Sequence, residues 1–146
     1  MTLHIIKLCV GAESIDDLAH WQRGRLAEQK RAYQVPRLFH TTRMVPKRQD
    51  EIAGKGSLYW VIKGIIQVRQ QITGFDSGTK DDGTPCCLLI LDAKLIPVRP
   101  AVRKAFQGWR YLTADDAPAD LTGSARDSVT KLPPKMRKDL ADLGLL

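Results

Sequence analysis

The sequence predicts an α+β fold: a small mixed sheet, strongly bent or partly closed into a β-barrel, covered by one main helix plus short helices. Three stretches carry that expectation. Gly56–Phe75, GSLYWVIKGIIQVRQQITGF, sets apolar Leu58, Trp60, Ile62, Ile66, Val68 and Ile72 against polar Ser57, Lys63, Gln67, Arg69, Gln71 and Thr73, the period of a strand. Val61, Ile65 and Gln70 are its exceptions. Pro85–Leu91 is a nearly continuous apolar run, as a central strand covered on both faces requires. Beyond Ser14 the apolar residues recur at helical rather than strand spacing.

The first of these stretches organises the rest. A two-residue turn at Lys63-Gly64 would pair residue 62 with 65 and 60 with 67, setting Trp60 against Gln67 and Leu58 against Arg69. Alternation therefore favours one long strand bent at Gly64, since a glycine inside a strand often marks a bulge or a barrel corner.

In chain order, Leu3–Val10 is the first strand, ended by Gly11. Ser14 followed by Asp17 is a capping-box-like start, and the helix is expected to run to about Gln34, because Pro36 pushes Val35 out of helical geometry. Ile15, Leu18, Ala19, Leu26 and Tyr33 form its apolar stripe, with Gln22 and Gln29 inside it. Trp21 and Arg25 share one flank and Arg23 and Lys30 the other. A second strand spans about Arg37–Met44, and Pro46 opens a short helix through about Ala53, stopped by Gly54. Asp76–Thr84 is a polar turn that reverses into Pro85–Leu91. Ile96–Arg99 is extended, Ala101–Phe106 helical, and Gln107–Leu112 returns to the sheet. A loose loop over 114–131 and a last helix over about 133–143 complete a single domain, residues 1–146.

No apolar run is long enough to cross a bilayer, and HIIKLCV, with Lys7 inside it, reads as a strand rather than a signal peptide, so the expected compartment is the cytoplasm. Cys9, Cys86 and Cys87 lack metal-binding spacing and are expected to be small buried thiols. The net charge of +7 is concentrated: Arg23, Arg25, Lys30, Arg31, Arg37, Arg43, Lys47 and Arg48 face Glu28 alone in the segment that they span. The field is therefore lopsided.

TRMVPKRQDEIAGKGSLYWVIKG (Thr42–Gly64), AFQGWRYL (Ala105–Leu112) and the opening LHIIKLCVGAES resemble the hallmark blocks of a bacterial family of conserved hypothetical proteins, filed as a domain of unknown function. That resemblance covers most of the chain and implies no activity and no catalytic residue. The bent strand also looks like the small barrels of the PUA type and their ASCH relatives, a likeness that implies binding of RNA or of modified bases.

An RNA or nucleotide-like anion is thus the leading partner. Phosphates need fixed cations and single-stranded bases need aromatic faces. Arg43, Lys47 and Arg48 precede the bent strand, Lys63 and Arg69 project from its polar face beside Tyr59, and Trp109 with Arg110 offers a second edge. The competing reading makes the arginines a solvated rim and Trp60 and Trp109 core. A small enzyme would use a polar cleft near His40, Thr42 and Arg43. Its pieces are scattered, because Asp50-Glu51 and Asp115-Asp116 are adjacent pairs whose side chains diverge, and His4, His20 and His40 lack metal-ligand spacing. No cofactor, metal or membrane is expected. A protein-interaction module would use Trp21, Arg25 and the face formed by Leu132, Met136, Leu140 and Leu143.

Overall fold

The computed structural model describes residues 2–32, 37–104, 106 and 108–121. Seven strands and one α-helix follow in the order β1 (Leu3–Leu8), α1 (Ile15–Arg31), β2 (Leu38–Thr42), a 3-10 turn (Gln49–Glu51), β3 (Ser57–Ile62), β4 (Ile65–Thr79), β5 (Pro85–Leu91), β6 (Ile96–Val102) and β7 (Trp109–Thr113). The sheet runs β2-β5-β4-β3-β1-β7, with β6 paired to the first part of β4. Only β1 and β3 are parallel; the other pairs are antiparallel. The mixed α+β class is as expected, but the sheet does not close into a barrel. Among the described residues β2 pairs with β5 alone and β7 with β1 alone, which leaves both as edges.

The bend at Gly64 is a hairpin turn. Lys63 and Gly64 have φ of 55° and 79°, the left-handed pair that a tight two-residue connection demands. The conflict that alternation raised against this turn is resolved by a β-bulge. Ile62 pairs with Ile65 and Val61 with Ile66, then the register shifts so that Trp60 faces Val68 and Leu58 faces Gln70. Gln67 is the extra residue, 1% exposed, and its amide donates to the Ile62 carbonyl at 2.9 Å.

Because of that shift the hairpin is apolar on both faces. Leu58, Trp60, Ile62, Val68 and Ile72 join Leu3, Ile5, Leu18 and Leu89 in the larger core, under α1. Tyr59, Val61 and Ile66 join Ile6, Val98 and Leu112 in a second core on the opposite face. Ile66, expected on the first face, thus lies on the second.

The helix starts as its sequence requires: Ser14 Oγ accepts from Asp17 N at 3.1 Å, and Asp17 Oδ2 accepts from Glu13 N at 3.0 Å. Leu18 is buried, and Ile15 and Leu26 pack against the core. Gln22 and Gln29 spend their amides on Gln70 and on the Arg37 backbone. Trp21 and Arg25 form no cation–π pair; such pairs among the described residues are Arg37–Phe39, Arg48–Tyr111 and Arg110–Phe106.

Other expectations are corrected. β4 extends through Asp76–Thr79, so the reversal is confined to residues 80–84. The helix expected at Ala101–Phe106 gives way to strand as far as Val102, and Pro100 falls where the β4–β6 ladder is irregular, between the Pro97–Val68 and Ala101–Ile66 pairs. After Pro46 only the three-residue turn forms. The described part of the expected 114–131 loop is tied to β6, with Leu121 N donating to Pro97 O and Arg99 N to Ala119 O. Tyr33, residues 122–131 and the expected 133–143 helix lie outside the described residues.

Candidate nucleic-acid interface

The residues after β2 are held by their backbone rather than by burial. Thr42 Oγ1 and Trp109 Nε1 each donate to the Met44 carbonyl at 3.0 Å. The Tyr111 hydroxyl accepts from Lys47 N at 3.0 Å and from Arg48 N at 3.2 Å. With its polar backbone drawn inward by β7, the segment leaves Met44 56% and Val45 57% exposed. Together with Lys47, Trp109, Arg110 and Tyr111 these two line a depression of about 310 Å³. None of the described residues that line it is acidic.

Four of the eight sequence-selected residues, Lys47, Arg48, Trp109 and Arg110, gather here. Lys47 is exposed, with no ion pair among the described residues. Arg48 lays its guanidinium over the Tyr111 ring, 5.7 Å from the centroid, and pairs with Glu51 at 2.5 Å. That hydrogen bond holds the Glu51 carboxyl below its usual range. Trp109 is 7% exposed; it is core, and its indole meets Tyr111 edge-on at 4.8 Å. Arg110 bonds its own strand at the Trp109 carbonyl and lies over Phe106. Arg43 is exposed one residue before the depression.

The other three are engaged elsewhere. Tyr59, 4% exposed, packs in the second core, its ring edge-on to His4 at 5.1 Å, and burial pushes its hydroxyl pKa up. Lys63, at the hairpin tip, pairs with Glu13 at 3.1 Å. Arg69 makes a two-pronged bond to Asp120, 2.7 Å at each prong, and a third to Ser57 Oγ at 2.9 Å. Tyr111 was not selected from the sequence, yet it is the ring on this surface that is 37% exposed. Trp109 and Tyr111 share one side of β7, so strand parity alone gives no signal that separates the buried ring from the exposed one.

The enzyme alternative does not assemble into one cleft. His40 and Thr42 share the core-facing side of β2, opposite Leu89 and Cys87, whereas Arg43 is exposed. The Thr42 hydroxyl is spent on the Met44 carbonyl. Burial, then Lys7 and Arg25, lowers the His40 pKa to about 4, so the ring is neutral at pH 7. Burial raises the Cys9 thiol to about 11 and pushes Cys87 up as well, which leaves both protonated and unreactive. All three cysteines are free and buried. No His/Cys/Asp/Glu group among the described residues suits a metal ion, and no described helix is long and apolar enough to cross a membrane.

No match to the chain is found among curated proteins or among solved structures. Residues 5–146 match the family model described as "Protein of unknown function (DUF1489)", and the chain belongs to that family.

Proposed function

We propose that this protein binds single-stranded nucleic acid, RNA in the first instance, across the depression between the 43–48 segment and β7. The observation that carries the reading is the meeting of Lys47, Arg110 and the Arg48-capped ring of Tyr111 in one concavity that no carboxylate lines among the described residues. Such a surface supplies what a single strand needs, cations for the backbone and a π-face beside a guanidinium for a base. RNA is the first candidate because its unpaired loops and ends present bases without a duplex having to be opened.

The charge distribution favours the same reading. Of the eight cations between Arg23 and Arg48, Arg37 and Arg48 form ion pairs among the described residues, and the rest of the excess is uncompensated there. The test is fluorescence anisotropy with a labelled single-stranded oligouridylate, titrated at several salt concentrations against the wild type and Lys47→Glu. Saturable binding that weakens with salt and with the substitution supports the reading. Binding indifferent to both refutes it.

A further inference from the structure

A second concavity, which shares no lining residue with that depression, lies between α1 and the strands β1 and β2, with a volume of about 230 Å³. Its unusual member is Lys7. Leu3, Ile5, Lys7 and Cys9 share one side of β1, and the other three are buried in the core beneath α1. Lys7 stands opposite Trp60 on β3 and Trp109 on β7, so it occupies a place where the pattern of a central strand calls for an apolar side chain. It is only partly exposed, and no carboxylate pairs with it among the described residues.

Arg25 reaches the same cavity from α1, also without an ion pair among the described residues. Both cations line the cavity together with His40, whose neutral ring they both act on. No Asp or Glu lines it among the described residues. Trp21, resting on Gly11 and 45% exposed, walls the mouth, and Trp60 forms the floor. That floor is rigid and polar-satisfied: Trp60 Nε1 donates to Gln70 Oε1 at 2.9 Å, and Gln70 exchanges amide hydrogen bonds with Gln22 at 2.7 and 2.9 Å. The polar capacity left over in the cavity is that of the two cations and of the unpartnered Nε2 of His40.

We infer that this cavity is a small-molecule site, which takes a carboxylate carried on one aromatic or fused heteroaromatic ring. The carboxylate sits between Lys7 and Arg25, and the ring lies against Trp21 and Trp60. The size fits: drug-sized ligands occupy about 300–1,000 Å³, so this cavity holds a single ring system with its charged group. The charge is argued from the donors. The α1 residues that line the cavity, Leu18, Trp21, Gln22 and Arg25, lie past the helix's opening residues, so the N-terminus of α1 supplies none of the extra N–H groups that a phosphate uses. A guanidinium fork with one ammonium matches the two oxygens of a carboxylate.

The test is calorimetric titration of the full chain with 2-naphthoate, 2-naphthamide and 2-naphthyl phosphate. The naphthoate is expected to bind saturably, with the uncharged amide about ten-fold or more weaker and the phosphate weaker than the carboxylate. Arg25→Gln, at an exposed helical position, and Lys7→Met, which restores an apolar residue to the core face, each lower naphthoate affinity about ten-fold while the circular dichroism is kept. Lys47→Glu leaves it unchanged, which separates this site from the nucleic-acid surface. Equal binding of amide and carboxylate, preference for the phosphate, indifference to Arg25→Gln, or no saturable binding of any of the three would overturn the assignment.

Discussion

Trp60 and Val68 stand opposite each other across the β3–β4 hairpin, although an uninterrupted register from the Lys63-Gly64 turn would set Trp60 against Gln67. Gln67 makes the difference by leaving the ladder and donating its amide to the Ile62 carbonyl from a position that is 1% exposed. Gln67→Ala removes a buried hydrogen bond and opens a cavity, and is expected to cost about 2–4 kcal/mol. Urea denaturation measures it. A loss under about 0.5 kcal/mol, the range of an ordinary surface substitution, would mean that the bulge does not depend on this side chain.

The bulge also explains which parts of the fold were legible. Ser14, the 15–29 stripe, β5 and β7 were readable because capping and periodicity are local. A register shift is not local: it depends on one amide finding one carbonyl after the turn has formed, so strict alternation pointed to a bent strand instead. The candidate site failed in the same way at two positions. Lys63 meets Glu13 fifty residues away in sequence and Arg69 meets Asp120 fifty-one away, so no reading of neighbours along the chain reveals that these cations are engaged. Lys7 was legible and was passed over; its parity with Leu3, Ile5 and Cys9 already put a cation on the core side of a strand.

The hairpin turn carries a second prediction. Lys63 adopts φ 55°, a left-handed conformation that asparagine tolerates better than lysine. Its ion pair with Glu13 is solvent-exposed and contributes little. Lys63→Asn is therefore expected to stabilise the protein by about 0.5–1 kcal/mol, seen as a higher urea midpoint at an unchanged slope. A lower midpoint would show that the Glu13 contact outweighs the backbone strain.

For nucleic-acid binding the geometry narrows an earlier expectation. With Lys63 and Arg69 engaged elsewhere, Arg43, Lys47 and Arg110 are the cations nearest the depression, and about three phosphate contacts give a slope of log K on log salt of roughly −2. Arg43→Glu with Lys47→Glu should bring that slope toward zero and weaken binding across base sequences alike. Tyr111→Leu should weaken binding by about 1–3 kcal/mol if a base stacks on the ring, with part of the loss traceable to the freed Lys47 and Arg48 amides. Tyr111→Phe keeps the ring and frees only those amides, so the difference between the two variants isolates stacking. Equal losses would remove Tyr111 from the interface.

His40 supplies a prediction about acid. Its Nε2 is buried with no hydrogen-bond partner among the described residues, and burial, Lys7 and Arg25 bring its pKa from 6.5 to about 4. The folded chain therefore keeps this ring neutral while the unfolded chain protonates it below pH 6.5. The contribution is complete above that pH and is lost progressively as pH falls toward 4, where the folded form takes up the proton too. After allowance for partial exposure the loss across that window is about 2–3 kcal/mol. Burial and Arg69 lower the pKa of His4 in the same sense, so the wild type retains some slope from a second histidine. Comparison with His40→Phe isolates the first, because phenylalanine keeps the edge-on contact with Trp60, 5.1 Å between ring centroids, and removes the unpartnered nitrogen. The variant is expected to match or exceed the wild type at pH 7 and to gain a further 2–3 kcal/mol or so over it at pH 4.5, read from urea unfolding at both values. Parallel losses in the two proteins would show that His40 takes up its proton as readily in the folded chain as in the unfolded one, and at pH 4.5 the cavity beside it would then hold three cations rather than two.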